Sequence, residues 1–159
     1  MPIAFLPIPT ETARAYRSGA PDAYGNPPER VTCTGHGAPC RHCLDYIPVG
    51  AEMLILAHSP FGARQPYAET GPIFLCADPC NRGGGAEVPE ALASPDYLVK
   101  GYSAQDRIVY GTGAVVATPA IPAMAERLLA DPRIAYVHVR SARNNCYQAR
   151  IDRPDPEAS

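Results

Sequence analysis

The chain has 159 residues, 46% of them hydrophobic and 19% charged, with a formal net charge of −2. That composition is globular, and the near-neutral balance offers no electrostatic footprint for nucleic acid or an anionic membrane. No apolar stretch approaches the about 18 residues that a membrane-crossing helix needs.

The N-terminal MPIAFLPIPT lacks the basic region of a signal peptide. These features point to one soluble cytoplasmic domain over residues 1–152, followed by a frayed tail over 153–159. Thiols stay mostly reduced in the cytoplasm, so six cysteines point to metal or to chemistry before disulfides.

In chain order, Thr10 is placed to cap a short helix over residues 10–18, with Gly19 as its stop. Residues 20–28 are a turn-rich loop, and 30–34 a strand leading into the cysteine-rich stretch. The apolar runs 53–57 and 72–77 suit buried strands. Gly83, Gly84 and Gly85 mark a flexible loop. Strands follow over 97–102, 107–110 and 114–117, with 111–113 as a hairpin turn.

The principal helix is expected over residues 118–130. Ile121, Met124, Ala125, Leu128 and Leu129 recur at helical spacing, and Asp131-Pro132 ends the pattern. A strand over 134–141 turns Val137 and Val139 one way and Tyr136, His138 and Arg140 the other. Residues 146–152 return antiparallel to it. Strands that follow one another without intervening helices predict an α+β fold: a mainly antiparallel sheet, one principal helix and a short N-terminal helix.

The densest chemistry is CTGHGAPCRHCL. Cys40 and Cys43 form a Cys-x2-Cys, a spacing that lets two thiolates reach one tetrahedral ion, and Cys76 and Cys80 form a Cys-x3-Cys. The four together can close a structural zinc site. Cys33 and His36, completing a local site with Cys40 and Cys43, are the alternative. Buried cysteines packing as small hydrophobes are the bland reading. Leu44 after the second cysteine excludes a haem attachment motif. Pro48 and Gly50 leave no room for the helix that a thioredoxin-like motif opens.

The C-terminal hairpin offers a polar face. Arg140, Arg150 and Gln148 are candidates for a small anionic ligand, because guanidinium presents a fork of donors. A loop centred on Ala142 sets His138 opposite Cys146 as a Cys–His pair. A two-residue Asn144-Asn145 turn sets His138 against Ile151 instead. Cys146 or Cys40 as nucleophile, with His138 and Arg140 assisting, makes the enzyme hypothesis.

PCRHCL at residues 39–44, PYAETGPIFL at 66–75, Cys80, KGY at 100–102, YGTGAVV at 110–116 and YVHVRSARNNCYQARI at 136–151 carry a resemblance. The chain resembles the bacterial family named domain of unknown function 1203. The resemblance brings no activity or cofactor with it. It implies His in relatives at the position of Cys76, an exchange that a metal ligand tolerates. It also implies Ser in some relatives at the position of Cys43, and Cys at that of Ala149.

Three readings stand at this point. One is a zinc-stabilised domain that binds a small anionic ligand or a protein partner, one a Cys/His-dependent enzyme, and one an interaction protein with inert cysteines.

Overall fold

The computed structural model describes residues 2–35 and 38–154. The elements run Ala4–Leu6 (β1), Thr10–Arg17 (α1), Glu29–Thr32 (β2), Ala38–Pro39 (β3), Tyr46–Ile47 (β4), Glu52–His58 (β5) and Gly71–Cys76 (β6). They continue with Asp96–Tyr102 (β7), Ala114–Ala117 (β8), Ile121–Leu129 (α2), Tyr136–Ser141 (β9) and Tyr147–Asp152 (β10). The strands form a five-stranded sheet in the order β1-β10-β9-β7-β8, a three-stranded sheet β2-β5-β6, and the two-stranded β3-β4. Every pairing between these strands is antiparallel, so the fold is broadly α+β. Among the described residues, no helix is long and apolar enough to cross a membrane.

The alternation in β9 works as its sequence implies. Val137 and Val139 face α2 and bury with Ile121, Met124, Ala125, Leu128 and Leu129, joined by Phe5, Val99 and Ile151. Each such side chain contributes about 1.5–3 kcal/mol of burial. A second buried cluster joins Ile8 and Ala13 to Cys33, Cys40, Ile47, Leu54, Leu56, Ile73, Leu75 and Tyr147. The opposite face of β9 carries Tyr136 and His138, which stack among aromatic rings.

Several expectations need correction. Thr10 does not cap α1. Pro9 holds the N-cap position and no side chain bonds the first turn, because the Thr10 hydroxyl is engaged with His42. The principal helix opens as a 3-10 turn, Thr118–Ala120, before α2 proper begins at Ile121. Residues 107–110 form no strand. A single bridge, Tyr102 to Ile108, is what remains of that pairing. The 111–113 segment is not a hairpin turn but the end of a longer loop, in which the Thr112 hydroxyl accepts the Gly101 N–H at 3.0 Å. The expected single sheet is divided into three.

The Gly83–Gly85 segment is a tightly packed strap rather than a free loop. Gly83 N–H donates to the His42 carbonyl at 2.9 Å, and Gly85 exchanges two backbone hydrogen bonds with Phe5 at 2.7 and 3.0 Å. A Cβ at Gly83 would overlap the Cys43 carbonyl, and one at Gly84, where φ is +107°, would overlap that of Phe5. Absence of a side chain is what lets the strap lie on both backbones. Gly83→Ala is expected to lower unfolding free energy by more than about 2 kcal/mol in denaturant titration. An unchanged midpoint would show that the strap yields.

Candidate metal centre

The site is built by two stretches of chain laid side by side. After β3, Cys40 opens a tight turn in which the Leu44 N–H donates to the Cys40 carbonyl at 3.0 Å and Leu44 takes φ of +56°. This brings Cys40 and Cys43 to one side. A parallel bridge from Cys40 to Phe74, with the Arg41 N–H donating to the Phe74 carbonyl at 3.0 Å, sets the turn beside β6. β6 ends on Cys76, and Cys80 follows four residues on.

The four sulfurs all lie within 4.8 Å of one another. Cys40 and Cys80 are 3.9 Å apart and Cys43 and Cys76 4.0 Å apart. Those separations are too long for a disulfide, and all the cysteines are free. A tetrahedral zinc with bonds of about 2.3 Å needs sulfurs about 3.8 Å apart, so the group has the size of a metal cage.

Donors surround the sulfurs. The backbone N–H groups of His42 and Cys76 each approach Cys40 Sγ at 3.4 Å. Arg17 reaches in from α1, donating through Nη2 to Cys80 Sγ at 3.0 Å and through Nε to the Cys76 carbonyl at 2.9 Å. His42 Nδ1 lies 3.2 Å from Cys80 Sγ, and its Nε2 lies 2.9 Å from the Thr10 hydroxyl. With the proton on Nδ1, the imidazole donates to Cys80 and accepts from Thr10. Such outer partners orient thiolate ligands and moderate their charge. Burial and the nearby Arg17 cation hold His42 below its ordinary pKa, which favours this neutral form.

The four thiols do not titrate alike. Cys40, accepting from the Cys43 and Cys76 thiols and from backbone N–H groups, is held well below the usual thiol range. Cys43, engaged with Cys40, is pushed up to about 12. Cys76 is raised by its bonds to Cys40 and Cys43, and Cys80 by burial first and the Cys40 charge second. One thiolate therefore forms readily and opposes the rest.

The other sequence candidates lie elsewhere. Cys33 is buried and donates to the Ile47 carbonyl at 3.5 Å, outside the group of four. His36 falls outside the described residues.

The hairpin takes neither expected register. A bulge between Tyr147 and Ala149 sets Arg150 opposite His138 and Tyr147 opposite Arg140. Cys146 sits at the turn, its thiol donating to the Asn144 carbonyl at 3.6 Å, so the structure does not bring it to His138. Gln148 lies in the bulge and its Nε2 donates to the Cys146 carbonyl at 3.4 Å. Arg140 is committed to Asn145 and Arg150 to Asp152, with Arg150 also stacked 4.0 Å above the Tyr136 ring. Arg140, Arg150 and Gln148 thus each bond a different partner, and Arg140 Nη1 is buried with none.

Sequence reasoning did not single out Arg17 or Arg41 and gave His42 no role. Arg41 is buried, and it donates through Nε to the Tyr147 carbonyl and through Nη1 to the Pro39 carbonyl, each at 2.7 Å. Its position inside the Cys-x2-Cys was the available signal. Arg17 sits 63 residues from its partner Cys80, and nothing local marks it.

The family model described as Protein of unknown function (DUF1203) matches residues 37–153. The chain belongs to this family. The DUF1203 match takes in all four clustered cysteines and the C-terminal hairpin, and leaves β1, α1 and β2 outside it. No curated protein and no solved structure matches the chain.

Two buried histidines complete the surroundings. His138 is fully buried in a box of Tyr102, Tyr147, Tyr136 and Phe61, with ring centroids at 4.7, 4.9, 5.0 and 5.2 Å. Neither ring nitrogen has a partner. Burial, then the charges of Arg140, Arg150 and Lys100, holds it well below its ordinary pKa. His58, packed against Tyr16, Tyr147 and near Arg41, is pushed down to about 4, chiefly by burial.

The unfolded chain binds a proton at each histidine below about pH 6.5 while the folded chain does not, so stability falls as pH falls through that value. Between pH 7.5 and 5 each histidine is expected to remove about 2 kcal/mol of stability. His138→Phe should fold at pH 7.5 and show one histidine's share less of that loss in urea unfolding. An identical pH profile for the variant would contradict a neutral buried His138.

Proposed function

We propose that this chain is a zinc-stabilised binding domain of a reducing compartment, with Cys40, Cys43, Cys76 and Cys80 holding one structural Zn2+. The observation that carries the reading is the meeting of four thiols within 4.8 Å from two parts of the chain. Soft tetrahedral sulfur sites select zinc or iron among common metals. Four thiolates fill the coordination sphere and leave no position for water or substrate, which marks a structural rather than a catalytic centre.

What the metal supplies is cross-linking. The ligands clamp the Cys40–Cys43 turn to the end of β6 and to the segment entering the glycine strap. Through Cys80, His42 and Thr10 the clamp extends to the start of α1. A domain held this way presents fixed walls to a ligand, and its role is recognition of a small anionic ligand or a protein partner.

Elemental mass spectrometry on untagged protein, prepared reduced and metal-replete, should find one zinc per chain. Chelation should lower the melting temperature by roughly 10 °C or more. Cys76→Ser and Cys80→Ser should lose the zinc, and Cys146→Ser should keep it. Protein free of metal and equally stable would overturn the reading. Iron in stoichiometric amount would replace zinc with an iron–thiolate centre.

A further inference from the structure

Beside the metal centre lies a cleft of about 710 Å³ between the chain entering α1 and the loop after β5. Small-molecule sites fall in the range of about 300–1,000 Å³. Its apolar walls are Leu6, Pro7, Ile8, Pro9, Pro60 and Phe61, and its charged groups are Arg82, Arg150 and Glu11. Arg82 lines it and makes no ion pair or hydrogen bond among the described residues. Arg150 lines it too, with Nε and Nη2 on Asp152 and no bond from Nη1. The first turn of α1, which lacks a side-chain cap, adds free backbone N–H groups.

The deciding groups are two side chains more than nine-tenths buried. Tyr147 is 6% exposed and lines the cleft, yet its hydroxyl makes no hydrogen bond and is not among the atoms sealed from solvent. Its ring is fixed edge-on against His138 at 4.9 Å and 69°. His58 is 8% exposed. Its Nδ1 meets the Tyr16 hydroxyl at 3.0 Å, leaving Nε2 without a partner. A hydroxyl on a fixed ring, reached by solvent and without a partner in the protein, is available to a ligand atom in the cleft.

We infer that the cleft binds a small organic carboxylate with an apolar body. The carboxylate is taken by Arg82, Arg150 and the Tyr147 hydroxyl, and the body packs on Pro60 and Phe61. Guanidinium donors favour carboxylate in a forked geometry. Glu11 in the lining and Asp152 on Arg150 offset the two cations, so the local balance suits a monoanion better than a phosphate dianion. Arg150 is the one member of the expected Arg140, Arg150 and Gln148 set that reaches this cleft. The inference rests on the binding role proposed above and not on the identity of the metal.

Amide NMR titration of the metal-replete full chain tests it, using phenylacetate, hexanoate, their neutral amides and inorganic phosphate as probes. The carboxylates should give saturable shifts at residues 8–12, 60–62 and 147. The amides and phosphate should bind at least fivefold more weakly. Arg82→Gln, an exposed substitution that leaves the core intact, should weaken the carboxylates about tenfold and leave the amides unchanged, and Tyr147→Phe should weaken them as well.

Equal binding of acid and amide, preference for phosphate, or no saturable shift at these residues would overturn the inference. Metal content read on the same sample separates the two proposals. Carboxylate binding by metal-free protein would support the cleft while removing the zinc.

Discussion

Four thiols packed within 4.8 Å present a charge problem that everything around them answers. Two thiolates 4.0 Å apart, the Cys43–Cys76 separation, repel by about 4 kcal/mol at an effective dielectric near 20. Without a cation only one can ionise cheaply, and Cys40, which receives the most donors, is that one. A divalent ion reverses the balance, because each further thiolate then gains more from the metal than it loses to its neighbours. Arg17, His42 and the backbone N–H groups lower the remaining charge.

The same constraint organises the cleft. Cys80 leads directly to Arg82 and then to the strap that lies on the Cys43 and Phe5 carbonyls. Thr10, at the mouth of the cleft, bonds the imidazole that bonds Cys80. Arg41 ties the cysteine turn to Tyr147, whose ring forms the far wall. Two parts of the lining, Thr10 and Tyr147, are therefore joined by short hydrogen-bonded links to the cysteine cluster. His138 and its aromatic box stiffen the wall from behind.

Much of this was legible in the sequence wherever a short spacing reports directly on geometry. Cys40 with Cys43, the helical stripe of Ile121 to Leu129 and the alternation of Val137 and Val139 all encode local shape. Three kinds of feature were not legible. β1 is a short strand flanked by Pro2 and Pro7, and it pairs with β10 at the other end of the chain, so no local pattern announces it. The hairpin register, shifted by one residue at the Gln148 bulge, sets Arg150 opposite His138 in place of either expected partner.

The glycine run looked free because its demands come from backbone atoms of Phe5 and Cys43, which composition does not reveal. The cleft itself joins residues from four separated stretches. Long-range register and close backbone approach are set by tertiary packing, which single-sequence patterns do not carry.

The central claim is that four sulfurs hold one ion, and zinc-edge X-ray absorption on the purified, reduced protein tests it most directly. The account requires a single shell of four sulfur atoms at about 2.3 Å, with no oxygen or nitrogen ligand. A shell containing nitrogen or oxygen, or fewer than four sulfurs, would contradict a closed site made of Cys40, Cys43, Cys76 and Cys80.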